Sequence, residues 1–201
     1  MSRFRFVALQ FCLLLSIIFS IQLFTGFDPS FAPGDPWWKY FTSILGHGGP
    51  EHLLNNLFFI GLFGSIYERL TSGRTFLLTF FSTALFANLS AFLFYPAGII
   101  GASGGGTGVL AAFAAYRPNH TGLALGVPMP MWAVLGIYVL INSAGMTAVT
   151  GTAYAAHMMG MAAGFVIGYR LRDRPYLEFE DREEDSWEQK IRQWEEKYMM
   201  D

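Results

Sequence analysis

From Phe6 to Phe24 the chain runs about 19 residues without a charged side chain. As a helix rising ~1.5 Å per residue, such a run crosses a hydrocarbon core of ~30 Å. A cleaved signal peptide is the competing reading, but the run exceeds the usual apolar core of a leader and no A-x-A-like cleavage site follows. The whole chain points the same way: 53% of residues are hydrophobic, 14% are charged and the mean hydropathy is +0.36. That is too little charge to cover the surface of a soluble domain.

Five further apolar segments follow, from near Pro50 to Arg69, Thr75 to Tyr95, Ser103 to Tyr116, roughly Pro128 to Ile141, and Gly151 to Tyr169. Pro50 suits a first helical turn. The polar connection F-D-P-S-F-A-P-G-D-P-W-W-K-Y, Phe27 to Tyr40, is too broken for a helix, and its Trp37, Trp38 and Tyr40 suit a membrane interface. These segments predict an all-α membrane protein, a bundle of six transmembrane helices over residues 1–170 with a short, central fourth helix.

Charge supplies an orientation. With both termini cytoplasmic, the inner ends and loops receive Arg3, Arg5, Arg69, Arg74, Arg117, Arg170, Arg172 and Arg174, and the outer loops only Lys39. Of the 15 carboxylates, all but Asp28, Asp35, Glu51 and Glu68 lie in residues 171–201. That tail is read as a separate acidic cytoplasmic segment. Within it Ser186 and Gln189 fit a capping box, and Trp187, Ile191, Trp194 and Tyr198 form one stripe, which predicts a short amphipathic helix. Its acidity disfavours anionic lipid, so it contacts a cytoplasmic partner, the cytoplasmic loops or another copy, or is a solvated tail with no dedicated role.

The least ordinary stretch is G-A-S-G-G-G-T-G, Gly101 to Gly108, at the start of the fourth segment. Ser103 to Tyr116 spans 14 residues, about 21 Å of helix. With Arg117 at the inner interface, Ser103 lies roughly 9 Å below the outer edge of the core. A recessed, irregular backbone is tolerated only where protein or a water-filled cavity surrounds it. The glycines then serve close helix packing, or free N–H groups at a helix start aimed at an oxyanion. A Walker loop is the poorer reading, because no Lys follows G-x-x-x-x-G and no nucleotide domain fits around it.

Ser103 needs a partner, and the sixth segment offers one. His157 is about six residues past Gly151, so it descends ~9 Å, the depth inferred for Ser103. Gly160 and Gly164 share its face and would let this helix approach the fourth. A serine hydroxyl is a weak nucleophile until a base sits within roughly 2.6 to 3.2 Å of it. A structural histidine is the alternative, although ionisable residues at this depth are functional candidates. In the second segment His52 and Asn56 are four apart and share a face, from which both can donate to a developing oxyanion or simply bridge helices. Asn55 points ~100° away.

Together H-x-x-x-N at His52 to Asn56, G-x-S-G at Gly101 to Gly104 and A-H-x-x-G-x-x-x-G at Ala156 to Gly164 resemble the rhomboid family of intramembrane serine proteases. The resemblance runs from Trp38 to about Tyr169 and includes W-K-Y-F-T-S and Y-E-R-L-T-S-G-R around the second segment. It implies a rhomboid-like bundle in which Ser103 attacks a peptide bond of a transmembrane protein substrate and His157 acts as general base and acid, with no third carboxylate. It also implies oxyanion binding by His52, Asn56 and the backbone N–H of Ser103, and a wet cavity open to the extracytoplasmic side of the cell membrane. The segment from Gly26 to Gly49 matches the family's membrane-embedded first loop, and the fifth helix would border lateral substrate access.

There are two departures from the family pattern. Thr107 stands where many members carry an aromatic residue packed on the catalytic histidine, so the orientation of His157, and with it the catalytic rate, depends on whether Thr107 substitutes by hydrogen bonding. Lys39 stands where Arg is commoner, and cannot make a planar bidentate contact. A catalytically silent rhomboid-like binder or a small transporter is the alternative function.

Other polar residues carry less. Cys12 stands alone, which excludes an internal disulfide and a cysteine-based zinc site. His47 and His120 have no partners at metal-ligand spacing, so no metal and no cofactor are expected. No basic, aromatic-interleaved patch indicates nucleic acid. Asn88 reads as interhelical packing.

Overall fold

The computed structural model describes residues 6–146, 152–173, 190–196 and 199. Two of its helices are long and apolar enough to cross a bilayer, α1 (Val7–Thr25) and the continuous stretch Gly73–Phe94. The latter consists of α5 (Gly73–Asn88) and α6 (Ser90–Phe94), joined by a single turn at Leu89. Between them lie α2 (Lys39–Thr42), α3 (Pro50–Phe59), a π-helical turn (Ile60–Gly64) and α4 (Ser65–Leu70). After them come α7 (Ser103–Tyr116), strands β1 (Thr121–Ala124) and β2 (Val127–Pro130), α8 (Met131–Gly145) and α9 (Tyr154–Leu171). Pro50 occupies the first turn of α3, where its missing N–H costs nothing.

The axis of the molecule is α7. Every residue from Gly104 to Tyr116 is buried, and the helix is clasped between α5 and α9. Small residues make the clasp possible. Any Cβ on Gly160, Gly164 or Gly168 of α9 would collide with the carbonyl oxygens of Gly104, Gly108 and Ala112 respectively. The two series rise together in steps of four, so α7 and α9 run parallel with backbones touching along one stripe. On the opposite side Gly104 faces Ala87 and Gly108 faces Thr83, descending along α5, which is therefore antiparallel.

The helix ends that carry Arg69, Arg74, Arg117 and Arg170 consequently lie at one end of the bundle, where Tyr116 Oη donates to the Leu70 carbonyl at 3.4 Å. Ser103 lies at the other. Outward, Leu13, Phe24, Leu93 and Leu140 are all more than half exposed. An apolar shell of this breadth suits hydrocarbon rather than water.

The irregular segment before α3 is pinned at several points. Phe31 and Ile99 exchange backbone hydrogen bonds of 2.9 and 2.8 Å. Asn88 Nδ2 donates to Tyr40 O at 2.7 Å and to Ser43 Oγ at 3.1 Å, so this amide ties α5 to the segment around α2. Gln22 closes a two-bond clasp with the His47 backbone, donating at 3.2 Å and accepting at 3.0 Å. Lys39 pairs with Asp35 at 3.8 Å.

Three expectations shift. The apolar residues before Met131 are not the start of the fifth helix. Val127–Pro130 pairs antiparallel with β1 through a two-residue turn at Leu125 and Gly126, both at positive φ. This pattern twists as a hairpin needs. The hairpin base then satisfies two N–H groups of α8, from Met131 to His120 O and from Trp132 to Pro118 O. The last helix begins at Tyr154 rather than Gly151, so His157 sits in its first turn and shallower than six residues would put it. The second segment is broken by the π turn, whose Gly64 leaves room for the Phe76 ring. Arg3, Arg5, Gly151, Arg174, Ser186, Trp187, Gln189 and Tyr198 lie outside the described residues. Residues 190–196 are helical, with Ile191 and Trp194 exposed.

Glu68 has a structural task that its place in an apolar bundle makes costly to lose. It is buried, and its two carboxylate oxygens accept from the N–H groups of Val7 at 3.0 Å and Ala8 at 2.9 Å. The N-cap residue Phe6 supplies no capping side chain, and a residue 61 positions away caps α1 instead, with its negative charge at the positive end of the helix. Glu68→Ala is expected to cost about 1–3 kcal/mol through the unsatisfied donors, and Glu68→Gln less, read by thermal unfolding in detergent. Equal melting of wild type and Glu68→Ala would contradict this.

Candidate active site

Ser103 is the first residue of α7 and His157 lies in the first turn of α9, so the parallel packing of these two helices brings their side chains to one level. Ser103 Oγ stands 2.7 Å from His157 Nε2. Both line a cavity of about 1010 Å³, together with His52, Asn56, Thr107 and Asn142.

Gly101 shapes the approach. It takes φ +127°, and a Cβ there would fall 2.6 Å from His52 Cε1. Only glycine combines that backbone with that proximity. Its N–H donates to Ser43 O at 2.9 Å, which fixes the turn that leads into Ser103. His52 accepts at Nδ1 from the Gly48 N–H at 3.4 Å, so the ring proton belongs on Nε2, the atom beside Gly101. Asn56 is buried and spends one amide hydrogen on its own helix, donating to His52 O at 2.9 Å. The second has no acceptor among the described residues. Asn55 also lines the cavity but is exposed, whereas Asn56 faces inward.

Thr107 makes no hydrogen bond to the His157 ring. Its hydroxyl lies 2.9 Å from Ser103 O, 3.2 Å from Gly104 O and 3.3 Å from His157 O, a link between the backbones of α7 and α9. Two other residues border the imidazole. Tyr154 meets it edge-on with centroids 6.2 Å apart, and Asn142 Oδ1 lies 2.8 Å from its Nδ1. Sequence reasoning missed Asn142; the available signal was an amide inside the apolar run I-Y-V-L-I-N. Tyr95 was also missed: its hydroxyl accepts from the Ala155 N–H at 2.9 Å and so caps the start of α9.

Neither His47 nor His120 lines this cavity. His120 Nδ1 lies 2.9 Å from Thr121 O in the hairpin, and His47 is buried with its ring 5.3 Å from that of His52.

A nucleophile-base pair recessed in a cavity, with donors from a second helix alongside, is the arrangement for acyl transfer. A family model for the rhomboid domain matches residues 34–174. The chain belongs to the rhomboid family. It is therefore a membrane protein of a family generally made of intramembrane serine proteases that act on transmembrane substrates. No curated protein matches it. The match begins after α1 and extends just past α9, so it takes in every candidate site residue of this rhomboid.

Proposed function

We propose that this rhomboid is an intramembrane serine endopeptidase that cleaves transmembrane segments with a Ser103–His157 dyad. The observation that carries the reading is the 2.7 Å approach of His157 Nε2 to Ser103 Oγ, a separation at which a proton passes as attack proceeds. Ser103 Oγ bonds to the scissile carbonyl carbon while its proton moves to His157 Nε2. The tetrahedral oxyanion is held by the Ser103 N–H, His52 Nε2–H and the spare Asn56 amide hydrogen, donors fixed before charge develops. His157 then protonates the departing amine, and water entering the cavity hydrolyses the acyl-enzyme with His157 as base again.

The chain is read as crossing the bilayer six times, as α1, α3 with α4, α5 with α6, α7, α8 and α9. The arginine-bearing end faces the cytoplasm, as do both termini, and the site opens to the extracytoplasmic side. The grouping of Arg69, Arg74, Arg117 and Arg170 opposite Ser103 supports this.

Covalent labelling tests the reading. A fluorophosphonate in detergent is expected to modify Ser103, found by mass spectrometry of the peptide, and labelling is expected to vanish in His157→Ala. A folded wild-type protein that stays unlabelled would favour a silent binder or transporter using the same cavity.

A further inference from the structure

We infer that Asn142 is a positioning residue for His157, which makes the site a Ser–His–Asn relay whose third member is carried by α8. The inference rests on the protease reading above, and it concerns which group holds the imidazole in register.

The hydrogen bonds set the direction of the chain. Asn142 lies 2.7 Å through Nδ2 from the Tyr138 carbonyl, one turn back on its own helix. A carbonyl only accepts, so the amide NH₂ must face it and Oδ1 must face His157. Oδ1 lies 2.8 Å from His157 Nδ1. An amide oxygen has no proton to give, so Nδ1 carries the hydrogen and Nε2 holds the free lone pair. That lone pair is what faces Ser103 Oγ at 2.7 Å. The backbone carbonyl of Tyr138 thus selects the one tautomer of His157 that can take a proton from Ser103.

The burial pattern of α8 supports the same role. Its buried residues are Met131, Val134 and Asn142, so beyond Val134 the one buried side chain is the amide. Leu140 and Ile141 beside it are exposed. Leu135, Ile137 and Tyr138 pack against the core along the same helix, and at its far end the inward position is given to an amide that meets the imidazole. Thr107, which occupies the position of the usual ring contact, spends its hydroxyl on backbone carbonyls, that of His157 among them. The α8 contact is the hydrogen bond on the Nδ1 side of the ring, beside the edge of Tyr154.

The test uses the full chain in detergent, with kcat and KM for a fluorogenic transmembrane-segment peptide, the rate of fluorophosphonate labelling at Ser103, and thermal unfolding. Asn142→Leu keeps the branched shape and the number of heavy atoms and removes the acceptor; kcat and the labelling rate are expected to fall roughly 10- to 100-fold with KM unchanged. Asn142→Asp, which restores an oxygen acceptor, is expected to recover most of that loss. If Asn142→Leu does not fold, Asn142→Ala is measured in its place. A merely structural amide would lower the melting temperature and leave the labelling rate of the folded protein intact. That result, or failure of Asn142→Asp to exceed Asn142→Leu, overturns the proposal while wild-type labelling at Ser103 keeps the protease reading standing. A wild-type chain that neither labels nor cleaves removes both.

Discussion

Replacing Ser103 or His157 by Ala is expected to lower cleavage of a transmembrane substrate by roughly 10³-fold or more, and the double replacement to be no worse than either single one. The expectation of non-additivity follows from the geometry. With Oγ and Nε2 2.7 Å apart, nucleophile and base act on one proton, so removing either removes the step. Both side chains are only part-buried against the cavity, and neither holds a helix terminus. Truncation to Ala should therefore leave thermal unfolding within a few degrees of wild type, and loss of turnover can be read as loss of chemistry. Measurement in proteoliposomes with a reconstituted single-span substrate decides it. Turnover by His157→Ala at the wild-type rate would end the dyad assignment, and a double variant far worse than both singles would mean the two residues work separately.

How much of this was open to a reader of the sequence depends on what kind of signal each feature leaves. Ser103, His157, His52 and Asn56 sit in spaced motifs with glycines at helix periods, and the structure brings all four to one cavity. The bounds of α7 were legible because Gly101 marks the turn before it and Arg117 the end after it. His157 is the neighbour of Ser103, but not through six residues of descent from Gly151: Tyr154 starts the last helix, and the pair meets first turn to first turn. The hairpin was hidden because V-P-M-P is as apolar as the helix that follows, and only its register with Thr121–Ala124 distinguishes strand from helix. Asn142 and Glu68 were opaque for another reason. Each is a single polar residue whose meaning comes from a partner 15 or about 60 positions away, and no local period encodes that.

The helix contact that aligns the dyad should be the most sensitive packing surface in the molecule, and Gly164→Val is expected to abolish labelling of Ser103 by unseating α9 from α7. Gly164 lies midway along the stripe where the backbones touch, and its own Cβ would meet the Gly108 carbonyl, a rigid backbone atom that cannot rotate away. Overpacking a well-filled site costs ~1–3 kcal/mol, and a β-branched side chain pressed on main chain belongs at the upper end or beyond it. Gly164→Ala should fall between the two. Separation of the helices by even ~1 Å would stretch the Ser103–His157 contact, which bridges them at their first turns, past hydrogen-bond range. The control is Gly136→Ala on α8, where a new Cβ meets nothing within 4 Å. That change should be neutral or stabilising by about 1 kcal/mol through helix propensity alone. Unfolding temperature and labelling rate measured across the three variants separate the cases. A Gly164→Val protein that melts and labels like wild type would mean the backbones do not touch, and with them would go the reason these two side chains share a level.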